Sequence, residues 1–280
     1  MTIRTSVLLT TLAGALAGGC GSQPVADRST TTRPVAAITQ GAARNDPRDA
    51  PPDVPVVFHV DMYVISFPEG AYSGNEEFWK RIDEQCVDPG TSDLLFMNGI
   101  RVGVAPLSEL QYFKQFITDV APIQSFGMTG ADMRDIPLVM RKDVPFQRLF
   151  YFNRGHELIG KDFKASENLL NISFEPAPRK FGAMRLTICP AVRSTQKRMD
   201  YTALNNEIAI DFVYDEKIYD LNCKADIPLD HFLIITPSTD AWRSTSIGNA
   251  FFVKDSPAEK REQVLLVVPS AYKVEPTKPK

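Results

Sequence analysis

Apolar and polar residues alternate repeatedly through the second half of the chain, and a two-residue period is the signature of extended backbone with one buried face. Leu170, Ile172 and Phe174 alternate with Asn171, Ser173 and Glu175. Met184, Leu186 and Ile188 alternate with Arg185, Thr187 and Cys189. Ile208, Ile210, Phe212 and Tyr214 alternate with Glu207, Ala209, Asp211 and Val213. Each run reads as a half-buried antiparallel strand. Phe232 to Ile235 and Val264 to Val268 are unbroken apolar runs, which suit strands covered on both faces. From Gly127 onward Pro and Gly recur between short apolar runs and helical periodicity is absent, so residues 126–274 are expected to form a β-rich, sandwich-like domain.

The preceding stretch has a different texture. Val57 to Phe67 reads as a strand with Phe58, Val60, Met62 and Val64 on one face and His59, Asp61 and Tyr63 on the other. Ser73-Gly74-Asn75-Glu76 offers a capping box for a helix running to about Cys86, with Phe78, Ile82 and Cys86 as its apolar stripe. Leu94 to Val104 encloses Asn98-Gly99, a strong hairpin signal. Ser108-x-x-Gln111 opens a second helix that buries Leu110, Phe113 and Ile117. Residues 54–125 therefore read as a small strand-helix-hairpin-helix unit, and the fold class expected for the whole chain is α+β.

The N-terminus reads as an export signal. One positive charge at Arg4 precedes an uncharged run from Val7 to Ala17, which is shorter than the roughly 20 residues of a membrane-spanning helix. Leu16-Ala17-Gly18-Gly19-Cys20 resembles the lipobox of bacterial lipoproteins, although Ala17 stands where the usual Leu would be. The resemblance implies removal of residues 1–19 and acylation of Cys20, so that lipid on Cys20 anchors the chain to a membrane. Gly21, in place of the Asp that retains such proteins in an inner membrane, implies an outer-membrane address facing the periplasm. The other reading is an ordinary secretory signal with Cys20 merely nearby. Residues 20–53, built from Ser, Thr, Pro, Ala, Arg and Asp, are expected to be a disordered tether spanning about 30 Å root-mean-square. Residues 275–280 are expected to form a disordered tail.

Chemistry-bearing residues are sparse. With a net charge of −3 and no basic cluster, nucleic acid is not an expected partner. His59, His156 and His231 stand in separate segments. His59 and Asp61 share a strand face, which could be half a metal site or simply a polar outer face. Gly155-His156-Glu157 lacks the second His of a zinc-protease helix. Ser194-Thr195-Gln196-Lys197 has Ser-x-x-Lys spacing without the companion motifs of penicillin-interacting enzymes. No catalytic set, metal site or cofactor is assigned. Export would permit one disulfide among Cys86, Cys189 and Cys223, and the pair in expected strands is Cys189 with Cys223; three buried, reduced thiols are the alternative. Trp79 and Trp242 are candidate partner contacts, with the core as the favoured reading of Trp79.

Several segments of the β-rich half are similar to the β-domain of secretins, the outer-membrane rings of bacterial secretion and pilus systems. Met184 to Pro190 resembles an apolar strand ending in proline, and Lys224 to Ile235 resembles the strand-turn-strand that follows. Ser246-Ile247-Gly248-Asn249-Ala250-Phe251-Phe252 and Glu262 to Pro269 resemble the closing Gly-x-x-Phe and strand-Pro elements, while Val56 to Ser66 resembles the opening strand. His231 stands where the family favours a Gly-Gln or Gly-Lys turn, and Pro237-Ser238 replaces a Gly-Gly. No segment reads as the membrane-crossing hairpins of the pore. The resemblance implies a lipid-anchored relative of the scaffold without a channel.

Together these readings lead to a non-enzymatic envelope lipoprotein that docks another envelope protein. The alternative is a periplasmic binding module for a small ligand or cell-wall polymer. A hydrolase assembled from distant residues is the third reading, and would need His156 or His231 beside a carboxylate and a nucleophile.

Overall fold

A computed structural model of the chain describes residues 56–115, 123–178, 182–195, 198–200, 209–211, 215–255 and 259–273. Cys20, the expected signal and tether, and most of the alternating run at 207–214 lie outside the described residues. The strands are β1 Val56–Pro68, β2 Ile100–Pro106, β3 Ile123–Gly130, β4 Met133–Phe152, β5 Leu158–Pro176, β6 Ala183–Ser194, β7 Arg198–Asp200, β8 Ala209–Asp211, β9 Asp215–Lys217, β10 Cys223–Pro228, β11 His231–Pro237, β12 Val253–Asp255 and β13 Lys260–Lys273. The α-helices are short: α1 Glu76–Trp79, α2 Pro89–Met97, α3 Leu110–Lys114 and α4 Ile247–Phe252. Among the described residues no helix is long and apolar enough to cross a membrane.

Two antiparallel sheets carry the fold. The first runs β2-β11-β13-β1-β3, with β12 also on β13; the second runs β10-β6-β5-β4, with β9 also on β6. Val60 and Met62 from the first sheet and Leu170, Ile172, Leu186 and Ile188 from the second fill one shared core, so the sheets pack face to face in a sandwich-like arrangement. The first sheet buries its other face as well. Tyr63, Ile65, Phe232, Ile234, Val264 and Leu266 pack there against Phe78 and Trp79 of α1 and Phe113 of α3. That second covering explains why β11 and β13 are apolar on both faces.

The boundary expected at 125/126 falls inside β3, which pairs with β1, and β1 in turn pairs with β13 along its length. Strands from both stretches therefore share one sheet. Three local readings also change. The helix expected from Glu76 to Cys86 ends at Trp79, because Asp83 leaves it to exchange backbone bonds with Val104, and a 3-10 turn, Glu84–Cys86, follows. Its cap is Asn75, whose side chain accepts from the Phe78 N–H; Ser73 is engaged elsewhere. Asn98-Gly99 closes α2 instead of turning a hairpin. Gly99 takes the left-handed φ of 83° that ends helices, while the Asn98 amide donates to Leu94 O at 2.8 Å. Of the second expected helix, the described part is a 3-10 turn, Leu107–Glu109, and α3, which buries Leu110 and Phe113; Ile117 lies outside the described residues.

One buried carboxylate organises the far side of the first sheet. Glu262 on β13 is fully buried and accepts from the backbone N–H groups of Tyr72 (2.5 Å), Gly70 (3.1 Å) and Ser73 (3.3 Å) and from the Ser73 hydroxyl (2.7 Å). The loop it holds places Tyr72 against Phe67 and Phe78, with ring centroids 4.3 and 4.4 Å away. Tyr72 O accepts the Trp79 Nε1–H at 2.9 Å.

Candidate functional site

The residues singled out in the sequence are mostly scattered. Trp79 is 2% exposed, bonded to Tyr72 and covered by the Arg101 guanidinium 4.0 Å from its ring, so it is a core residue and not a partner contact. His59 lies on the outer face of the first sheet between Thr129 (2.7 Å) and Asp61 (3.3 Å), and His231 contacts Asp230 at 2.8 Å. His156 sits in the β4–β5 turn at φ 58°. No cluster of three or more metal-ligating side chains occurs among the described residues. Thr195 bonds Ala165 O through both its N–H and its hydroxyl, as a turn residue would.

The expected Cys189–Cys223 bridge is not formed: Cys86, Cys189 and Cys223 all carry free thiols. Cys223 on β10 stands directly opposite Ile188 on β6, so it shares the inward face of Ile188, and Cys189, one residue on, points the other way. In the sequence Cys189 alternates with Ile188. The pairing of the two strands supplied the rest.

One place does gather unusual side chains. β4 and β5 form a long hairpin whose turn is built by Asn153, the Oδ1 of which accepts from the N–H groups of Gly155 and Glu157, both at 2.9 Å. Phe152 pairs with Leu158 and Phe150 with Gly160 across the hairpin. The Phe150 ring occupies the space a Cβ on Gly160 would need, 2.6 Å from Cε1, so glycine there lets the ring lie flat. The tip is fastened twice. The Phe152 N–H donates to Asn98 Oδ1 (2.8 Å) while Phe152 O accepts from Asn98 Nδ2 (3.0 Å), and the Phe150 N–H donates to Thr245 O (2.8 Å).

Between hairpin tip, α2 and the loop before α4 lies a cavity of about 160 Å3, lined by Met97, Phe150, Phe152, Leu158, Arg243, Thr245 and Ser246. Two further cavities among the described residues, of about 20 and 10 Å3, are lined mostly by core side chains and are packing gaps. Arg243 is held by Met97 O (2.6 Å) and Asp240 Oδ2 (3.2 Å), with its guanidinium 5.9 Å from the centre of the Phe152 ring. The Ser246 hydroxyl caps α4 by accepting from the Asn249 N–H. Of the lining, Leu158 is 58% exposed and Phe150 37%; Trp242, next to Arg243 in the chain, is 74% exposed. Large apolar side chains gathered at one surface mark contact sites. The lining offers apolar walls with one cation and hydroxyls, which suits holding an apolar group beside an anion. Of the two tryptophans, Trp242 is the one in reach of solvent. Neither Phe150 nor Leu158 stands out in the sequence: residues 149–152 are apolar on both faces of the strand, and Leu158 is followed directly by Ile159.

No protein-family model and no curated protein matches the chain. Among solved structures it shows a weak likeness to the InvG secretin domain β-barrel from the Salmonella SPI-1 injectisome NC-base. The TM-score is 0.16 and the identity 9%, over 80% of this chain and 64% of that chain. A likeness of that size assigns no function.

Proposed function

We propose that the protein is a membrane-anchored, non-catalytic envelope component that docks a protein partner at the β4–β5 hairpin tip. The exposed side chains of Phe150 and Leu158 lining the cavity beside Arg243 carry this reading, with exposed Trp242 next to Arg243 in the chain. Arg243 favours a partner that presents an apolar side chain next to a carboxylate, since the pair would fill the cavity and meet the cation. Lipid on Cys20 would hold this body near a membrane, by the resemblance of Leu16 to Cys20 to a lipobox.

Photo-crosslinking from position 242 or 158 in the native cell tests the docking. A discrete species crosslinked from position 242 that Leu158→Asp abolishes supports it. Unchanged crosslinking in a folded Leu158→Asp variant, or none at either position, counts against it. Fractionation of Cys20→Ala tests the anchor separately, and retention in the membrane fraction would refute lipid attachment. A second reading, capture of a small carboxylated ligand, rests on the same cavity and its Arg243–Phe152 pair. Binding that survives Leu158→Asp but not Arg243→Ala would favour it.

A further inference from the structure

Cys86 and Cys223 come from opposite layers of the sandwich and belong to or border one core cluster. Cys86 ends the 3-10 turn that hangs from the first sheet. Asp83 fixes that turn by exchanging backbone bonds with Val104 at 2.8 and 2.9 Å, and its carboxylate accepts from the Gln85 N–H at 2.8 Å. The Arg101 guanidinium grips Glu84 in the same turn with two bonds of 2.8 and 2.7 Å. Cys223 opens β10 in the second sheet and points inward with Ile188. The turn abuts β10, and half-buried Cys86 packs against the same core cluster that contains Cys223.

We infer that Cys86 and Cys223, not Cys189, form the disulfide of the oxidised protein and that it ties the two sheets together. The inference goes beyond the docking site and does not depend on it. Among the described cysteines, these two alone share the interior between the sheets, whereas Cys189 faces the far side of β6 near Ile218 O. The structure as described is the reduced form.

The chemistry needs an oxidant, here a small-molecule disulfide such as oxidised glutathione. One protein thiolate attacks it, forming a mixed disulfide and releasing one glutathione thiol. The second protein thiolate then displaces the second glutathione, so two electrons and two protons pass to glutathione as the Cys86–Cys223 bond forms. Burial pushes both thiols up to about 12, and repulsion from a negative charge on Cys86 adds to the rise at Cys223. Both are therefore poor nucleophiles once packed, and the bond should form while the chain is folding.

The full chain, reduced and unfolded, is refolded in mixed reduced and oxidised glutathione, its free thiols are alkylated, and its peptides are mapped without reduction. The expected result is one linked pair, Cys86 with Cys223, two hydrogens lighter than the reduced peptides, with Cys189 alkylated. Cys189→Ser should keep the link, and Cys86→Ser should abolish it and leave Cys223 alkylated. Adding oxidant only after folding should slow link formation at least tenfold. Alkylation of both Cys86 and Cys223 in refolded wild-type protein overturns the inference, as does any link to Cys189. Because the wild-type map decides, a variant that fails to fold leaves the test intact. Thiol mapping and membrane fractionation are separate readouts, so either reading can fail alone.

Discussion

Replacing Glu262 by alanine tests whether one carboxylate holds the loop over the far core. The substitution strands the Tyr72 and Ser73 N–H groups, both buried, and frees the Gly70 N–H at the margin. A buried donor left without a partner costs about 2 kcal/mol, so the two together cost about 4. Lost methylene burial adds about 1 kcal/mol, and release of a desolvated charge returns about 2. The net is a loss of about 3 kcal/mol. For a body of this size that lowers Tm by about 9 °C, measurable by circular dichroism. In Glu262→Gln the Ser73 hydroxyl can turn to accept from the new amide, so the loss should be about 1 kcal/mol. An alanine variant melting within about 2 °C of wild type would refute the anchoring role, on the same scaling. A glutamine variant more stable than wild type would mean that burying the charge costs more than its bonds return.

The same residue sets a pH dependence. Burial raises the Glu262 carboxyl above its ordinary 4.5, against the pull of its four hydrogen bonds. A raised acid binds its proton more tightly in the folded state, so wild-type stability should increase as pH falls from the raised value toward 4.5 and be flat above it. Subtracting denaturation curves of Glu262→Gln, which cannot titrate there, isolates this slope; a difference that moves the other way would contradict it. Gly248→Ala should be severe, because its Cβ would lie 1.8 Å from Gly99 O, backbone that cannot step aside; a loss of at least about 3 kcal/mol is expected in urea denaturation. Trp242→Ala should change Tm by no more than about 2 °C, consistent with an exposed side chain.

Much of the strand content was legible because alternation is a local property. β1, β5 and β6 appear where their patterns placed them, and the unbroken runs at 232–235 and 264–268 belong to β11 and β13, covered from both sides. What local patterns could not carry was partnership. Asn98-Gly99 has hairpin chemistry, yet Asn98 finds its partners on Phe152, 54 residues away, and the same dipeptide ends a helix. Glu76 to Cys86 has a helical stripe, but bonding Asp83 to Val104 extends the first sheet instead. Trp79 sits in an aromatic and basic stretch that leaves a partner contact open, and the packing of α1 under the sheet fixes it as core. The cavity could not have been read at all, since its walls come from three distant segments.

The first and last strands of the described body lie side by side in the middle of the first sheet, β1 pairing with β13 from Val56↔Lys273 to Pro68↔Arg261. A chain emerging from the ribosome N-terminus first cannot complete that sheet until nearly all of it has appeared. Until then β1 and β11 each lack their shared neighbour, and loop closure must span some two hundred residues before the contact is rewarded. Folding should accordingly be slow and all-or-none at its final step. The nascent chain stays pliable until β13 has emerged, and truncation within that fourteen-residue strand would leave the first sheet without the strand that joins β1 to β11.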